Sequence, residues 1–128
     1  MSMRDLYQQD LLDHYQHPRN FGLLQEYDFV SPLYNPSCGD SVTFSGRVRD
    51  GVLLDITFEG KGCVLSVAMA SKLTEHCKNM SCNDIAQLSE ETVFLLLAMD
   101  LGFKRMQCGM LSIQALQKGV KAFVESRL

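Results

Sequence analysis

The stretch Ser41-Val42-Thr43-Phe44-Ser45-Gly46-Arg47-Val48-Arg49-Asp50-Gly51-Val52-Leu53-Leu54-Asp55-Ile56-Thr57-Phe58-Glu59 decides the fold. Val42, Phe44, Gly46 and Val48 alternate with Ser41, Thr43, Ser45 and Arg47; beyond Asp50-Gly51, Leu54, Ile56 and Phe58 alternate with Asp55, Thr57 and Glu59. A period of two is the mark of a half-buried strand, and Asp-Gly favours the two-residue type I′ turn. One face is apolar and the other polar, so the pair reads as an antiparallel hairpin covered on one side. With Asp50 and Gly51 as the loop, opposed residues have numbers that sum to 101: Arg49 faces Val52 and Val42 faces Glu59. Extending that ladder past both strand ends sets Cys38 opposite Cys63.

Immediately upstream lies Asn35-Pro36-Ser37-Cys38-Gly39-Asp40. Pro36 fixes its own φ and holds Asn35 extended, while Gly39 permits a bend other residues resist. A thiol and a carboxylate two residues apart are thus held in a turn, and read as two ligands of a metal or iron–sulfur site. Further upstream, Met3, Leu6, Tyr7, Leu11 and Tyr15 predict an amphipathic helix over 3–16, ended by Pro18, with a turn over 18–22. Tyr27, Phe29 and Leu33 predict a short edge strand within 23–35, its pairing limited by Pro32.

Downstream, Leu65, Ala68, Met69, Lys72 and Leu73 share a helix face in a run that ends near 77–79. A short helix follows from Ser81 to Leu88. Another opens at Ser89-Glu90-Glu91-Thr92, where the pair Ser89 and Thr92 does not read as a capping box. Phe94 to Met99 is almost wholly apolar and expected to be buried. Gly102 interrupts, and a last helix runs from near Cys108 to about Ser126 with Ile113, Leu116, Val120 and Phe123 as its stripe. The order is helix, strands, then helices. It implies a single α+β domain over 1–128, a small antiparallel sheet with helices packed on one face.

Composition narrows the function. The 128 residues suit one core, and a formal charge of −3 argues against a nucleic-acid or anionic-membrane surface, both of which need clustered positive charge. No apolar run approaches a bilayer span, and Met1 to Asp5 lacks a secretory pattern. A cytoplasmic protein is expected, or an organelle matrix protein if a transit peptide was removed. The five cysteines, Cys38, Cys63, Cys77, Cys82 and Cys108, are odd in number, which speaks against a disulfide framework and for reduced thiols.

Cys63 and Cys108 fall at predicted helix N-termini, where a thiol's pKa is lowered. Cys38 and Cys63 are joined by the hairpin, Cys108 joins if the last helix starts at the same sheet end, and Asp40 is available as a fourth ligand. Three thiolates and one oxygen suit tetrahedral Zn²⁺ or a labile iron–sulfur cluster. The spacing leaves two readings open: this ligand set, or cysteines serving as small buried hydrophobes.

Asn35-Pro36-Ser37-Cys38-Gly39-Asp40, then Gly60-Lys61-Gly62-Cys63-Val64-Leu65-Ser66, and later Cys108, resemble the motifs of the U-type iron–sulfur cluster assembly family (IscU, SufU and the N-terminal domain of NifU). Leu6-Tyr7 with Asp13-His14-Tyr15-Gln16-His17-Pro18-Arg19-Asn20 resembles its N-terminal signature. The resemblance implies an IscU/SufE-like α+β fold and a [2Fe–2S] or Zn²⁺ site on Cys38, Asp40, Cys63 and Cys108. It implies persulfide sulfur accepted on Cys108 or Cys38 from a cysteine desulfurase, and iron–sulfur cargo passed to acceptor or carrier proteins. The chain is then a sulfur-accepting scaffold, monomer or weak dimer, rather than a true enzyme; the alternative is a SufU-type zinc-dependent sulfurtransferase. Two departures stand out. Gln107 occupies the place before the third Cys where IscU has His. Leu101-Gly102-Phe103-Lys104-Arg105 lacks both prolines of the IscU chaperone-docking stretch, which argues against delivery through the dedicated chaperone. Arg105 is closer to the SufU pattern, yet the SufU insertion before the third Cys is missing.

Of the remaining residues, Cys77 and Cys82 read as structural thiols. His17 reads as capping or lining the turn, His14 as near a partner surface, and His76 as solvent-facing. Lys61 reads either as tuning Cys63 or as simply solvated.

Overall fold

The computed structural model describes residues 2–99 and 101–128. Helix α1 (Met3–Gln16) is followed by strands β1 (Phe29–Asn35), β2 (Asp40–Arg49) and β3 (Val52–Lys61), then α2 (Val64–Cys77), α3 (Cys82–Ala86), α4 (Glu90–Leu97) and α5 (Phe103–Ser126). The sheet is an antiparallel meander in the order β1-β2-β3. Asp50 and Gly51 both take positive φ, 53° and 75°, as a type I′ turn requires. The register begins as expected, Arg49 on Val52 and Val48 on Leu53, and then slips by one: Arg47 faces Asp55 and Val42 faces Gly60, not Glu59. The extra residue is Leu54. Its bulge turns Leu53 into the core, fully buried, and leaves Leu54 exposed, reversing the face assigned to Leu54 from the alternation.

Phe29, Val42, Phe44, Leu53, Ile56 and Phe58 line the inner sheet face. Helix α5 lies on β1 and β2, α2 on β3, and the two helices touch each other, while α1 packs on α2. Across the opposite face runs the chain between α1 and β1. Phe58 N–H donates to Asn20 C=O (3.0 Å), Gly22 N–H to Phe58 C=O (2.8 Å), Leu24 N–H to Ser45 Oγ (3.0 Å) and Asp28 N–H to Gly46 C=O (2.8 Å). Farther along β3, Leu53 exchanges hydrogen bonds with Asn79 and Met80. These two short pieces occupy stretches of the outer edge of β3 that would otherwise invite another strand.

Several expectations shift. On α1 only Leu11 and His14 are buried; Met3, Leu6, Tyr7 and Tyr15 are exposed, so the helix docks by a narrower face than its stripe implies. The Phe94–Met99 run is not wholly buried: on the short α4, Val93 and Leu97 point inward and Phe94 and Leu95 outward. Ser89 and Thr92 do form a reciprocal capping box, Thr92 Oγ1 accepting from Ser89 N–H at 3.3 Å in the role usually filled by Glu or Gln. Helix α5 starts at Phe103 behind Gly102 as N-cap, five residues earlier than the Cys108 start expected from the stripe. Its first turn carries exposed Phe103, Lys104 and Arg105, so the periodic signal begins late.

Candidate metal centre

The Asn35–Asp40 segment is the hairpin turn between β1 and β2. Asn35 pairs with Asp40, and Pro36 to Gly39 close the loop, with Ser37 N–H donating to Asn35 Oδ1 (3.0 Å) and Gly39 at φ 74°. Cys38 sits exposed on this loop, while Asp40, the first residue of β2, points inward at 1% exposure. At the far end of β3 the chain leaves Lys61, passes Gly62 and enters α2 with Cys63 as the N-cap. The slipped register brings Gly62, not Lys61, level with Asp40. Gly62 has φ 147°, and a Cβ there would run into the Asp40 carboxylate, so the position needs glycine on both counts.

Asp40 is therefore the hub. Its Oδ1 accepts from Cys63 N–H (3.0 Å); its Oδ2 accepts from Ser66 Oγ and lies 3.6 Å from Cys63 Sγ. Ser66 Oγ is also 3.4 Å from Cys63 Sγ. Helix α5 brings Cys108 from the other side, its sulfur 4.0 Å from Cys38 Sγ. Donor atoms of Cys38, Asp40 and Cys108 all lie within 4.8 Å of one another. The four residues singled out in the sequence thus converge at one end of the sheet. Their pairing differs from the hairpin extrapolation, with Asp40 against Cys63 and Cys38 against Cys108.

The electrostatics differ too. Burial pushes the Asp40 carboxyl up, but hydrogen bonds from Ser66, Cys38, Cys63 N–H and Cys108 outweigh it and hold the group below the usual carboxylate range. Cys108 is inside α5, beyond the first turn, so no helix terminus favours its thiolate. Burial first, then repulsion from Cys63 and Cys38, pushes its thiol up to about 12 rather than down. A buried carboxylate surrounded by three close thiols needs a cation for all four to ionise together, and thiolate and carboxylate donors suit Zn²⁺ or iron. The residues therefore fit the group. Ser66 and Gly62 were not picked out as site residues. The signal for both was local: a serine one turn into a helix whose N-cap is a candidate ligand, and a glycine directly before that ligand.

The other candidates fall elsewhere. Cys77 is fully buried, its thiol pushed up to about 12 by desolvation, and Cys82 is nearly so; both are core. His14 is also buried, its Nδ1 2.7 Å from Ser71 Oγ, and so belongs to the α1–α2 contact rather than to a free surface. His17 caps α1, its N–H donating to Asp13 C=O (2.8 Å), and His76 is half-buried rather than solvent-facing. Gln107 is exposed.

A three-stranded meander backed by helices, with a cysteine–aspartate cluster at one sheet end, defines a class of small α+β domain. The family model described as the NifU-like N terminal domain matches residues 6–128. The iron–sulfur cluster assembly scaffold protein IscU 1 of Archaeoglobus fulgidus is 31% identical over 115 residues, covering 90% of this chain and 74% of the relative. The zinc-dependent sulfurtransferase SufU of Bacillus subtilis is 32% identical over 132 residues, covering 90% of this chain and 89% of the relative. The crystal structure of the N-terminal part of a nitrogen-fixing NifU-like protein from Brucella abortus shares the fold, with a TM-score of 0.74 at 20% identity over 96% of this chain and 97% of that one. The chain belongs to the NifU-like N-terminal domain family.

Proposed function

We propose that this protein is a scaffold for iron–sulfur cluster assembly. It accepts sulfur and iron, holds a labile [2Fe–2S] cargo on Cys38, Asp40, Cys63 and Cys108, and passes it to acceptor proteins. The observation that carries the reading is the convergence of three thiols on a buried carboxylate beside an exposed loop. Sulfur arrives on Cys108 or Cys38, from a cysteine desulfurase as the donor, and the cytoplasm is the compartment that keeps such thiols reduced. Cys63, fixed at the helix start, is a standing ligand. Asp40 binds iron less firmly than a fourth thiolate would, which keeps the cargo exchangeable.

The identity with the SufU relative, along most of both chains, favours a second reading: a zinc-dependent sulfurtransferase using the same four residues. There the metal supplies charge neutralisation for the thiolates, and one cysteine carries the transferred sulfur. Anaerobic reconstitution with iron, sulfide and reductant, followed by visible absorption and metal analysis, separates the two. Charge-transfer absorption with iron and acid-labile sulfide in equal amounts supports the scaffold. Tightly retained zinc with no cluster formed, together with stimulation of a desulfurase, supports the transferase.

A further inference from the structure

The four site residues are not equivalent once the metal is set aside. Cys63 Sγ is engaged locally, 3.4 Å from Ser66 Oγ and 3.6 Å from Asp40 Oδ2. Cys38 and Cys108 also reach the Asp40 carboxylate, but their sulfurs lie 4.0 Å apart, one on an exposed turn and the other on a long helix. A disulfide needs its sulfurs about 2 Å apart, so a movement of about 2 Å closes this pair. The Cys38 side can supply it: Pro36 to Gly39 is a surface loop, Gly39 has a positive φ, and a Cβ there would have open space around it.

We propose that Cys38 and Cys108 act as a resolving pair: when one carries a persulfide, the other attacks it and releases the sulfur as sulfide. This rests on the reading that one of the two accepts sulfur. In the step, the free thiol's sulfur bonds to the persulfide's inner sulfur and the inner–outer S–S bond breaks. The outer sulfur leaves with both electrons of that bond and takes up the attacking thiol's proton, so R–S–SH and R′–SH become R–S–S–R′ and H₂S. The sulfane sulfur is reduced and the two cysteine sulfurs are oxidised, so no outside oxidant enters. A dithiol reductant then returns the disulfide to two thiols. The pair thereby turns bound sulfane sulfur into the sulfide that a cluster contains. Attack needs an uncoordinated thiol, so the step belongs to the metal-free protein.

The test uses the full chain, stripped of metal and reductant under nitrogen, exposed to inorganic polysulfide and desalted. The wild type is expected to release sulfide and lose two free thiols, and peptide mapping without reduction should show a Cys38–Cys108 disulfide. Cys38→Ser and Cys108→Ser should each slow sulfide release at least tenfold, and at least one should retain a 32 Da adduct on the remaining member of the pair. Release at the wild-type rate from a singly substituted protein that carries the adduct would overturn the resolving role while leaving the acceptor reading intact. A disulfide from Cys108 to Cys63 would overturn the assignment of Cys38. If no adduct or disulfide forms at either residue in any of the three proteins, the acceptor reading fails, and this proposal fails with it.

Discussion

At the scale of single residues, the site is governed by Asp40. Its carboxylate is taken out of water yet held below the usual carboxylate range by the donors around it, which suits the exchangeable ligand proposed for it. Asp40→Ala should therefore retain reconstituted cargo longer, with transfer to an apo-acceptor slowed; transfer kinetics equal to the wild type would count against the role given to Asp40. Ser66 orients both the carboxylate and the Cys63 thiol. Partners of this kind are worth about 10–100-fold in metal affinity, so Ser66→Ala should weaken zinc binding by that factor in a chelator competition. An unchanged affinity would reduce Ser66 to packing. A third residue makes a simpler case. Ser31 lies buried under α5, where a Cβ on Gly119 would press on it, and its hydroxyl has no hydrogen-bond partner among the described residues. Ser31→Ala removes an unsatisfied buried group and should stabilise the protein by about 1 kcal/mol in urea unfolding; a loss of stability would show that the hydroxyl is paired after all.

At the scale of elements, α1 is the loosely held piece. It docks on α2 through Leu11, the His14–Ser71 hydrogen bond and the Asp10–Lys72 ion pair. Burial lowers the pKa of His14, and the cations of Arg19 and Lys72 add to this, while Asp10 and Glu75 oppose it without reversing the direction. A histidine whose folded pKa is below its unfolded value, about 6.5, binds protons more readily in the unfolded chain. Its contribution is thus fully present above about pH 6.5 and is lost as pH falls from there through the depressed folded value. Hydrogen exchange of α1 amides relative to those of β2 should speed up between pH 7.5 and pH 5.5, after correction for intrinsic rates. A constant ratio would mean that His14 does not latch the helix. The elements also show what the sequence could reveal. The β2–β3 hairpin was legible because Asp-Gly and a period of two agree. Its bulge was not, because Leu53-Leu54 offers two apolar residues to one inward position and only packing chooses Leu53. The start of α5 was hidden for a related reason: a helix turn that buries almost nothing has no stripe to read.

At the scale of the whole molecule, the fold is a device for bringing distant parts of the chain to one sheet end. The β1–β2 turn supplies Cys38 and Asp40, the β3–α2 junction supplies Cys63, and the packing of α5 across the sheet supplies Cys108. The first two were visible in the sequence because a hairpin links them with a nearly fixed register. The observed register differs from the expected one by a single residue, so the ladder no longer sets Cys63 opposite Cys38, and Cys63 at the start of α2 reaches Asp40 instead. The arrival of Cys108 depends on tertiary packing, including the close seat of Gly109 against Val93 and of Gly119 against Phe29, which no local pattern encodes. Together these four side chains are proposed to form one metal-binding set of three sulfurs and one oxygen. Zinc K-edge X-ray absorption on the zinc-loaded protein measures that set directly. Three sulfur scatterers at about 2.3 Å and one oxygen at about 2.0 Å are expected, with the oxygen lost or replaced in Asp40→Ala. A shell of four sulfurs, or one whose oxygen is unaffected by removal of the Asp40 carboxylate, would contradict it.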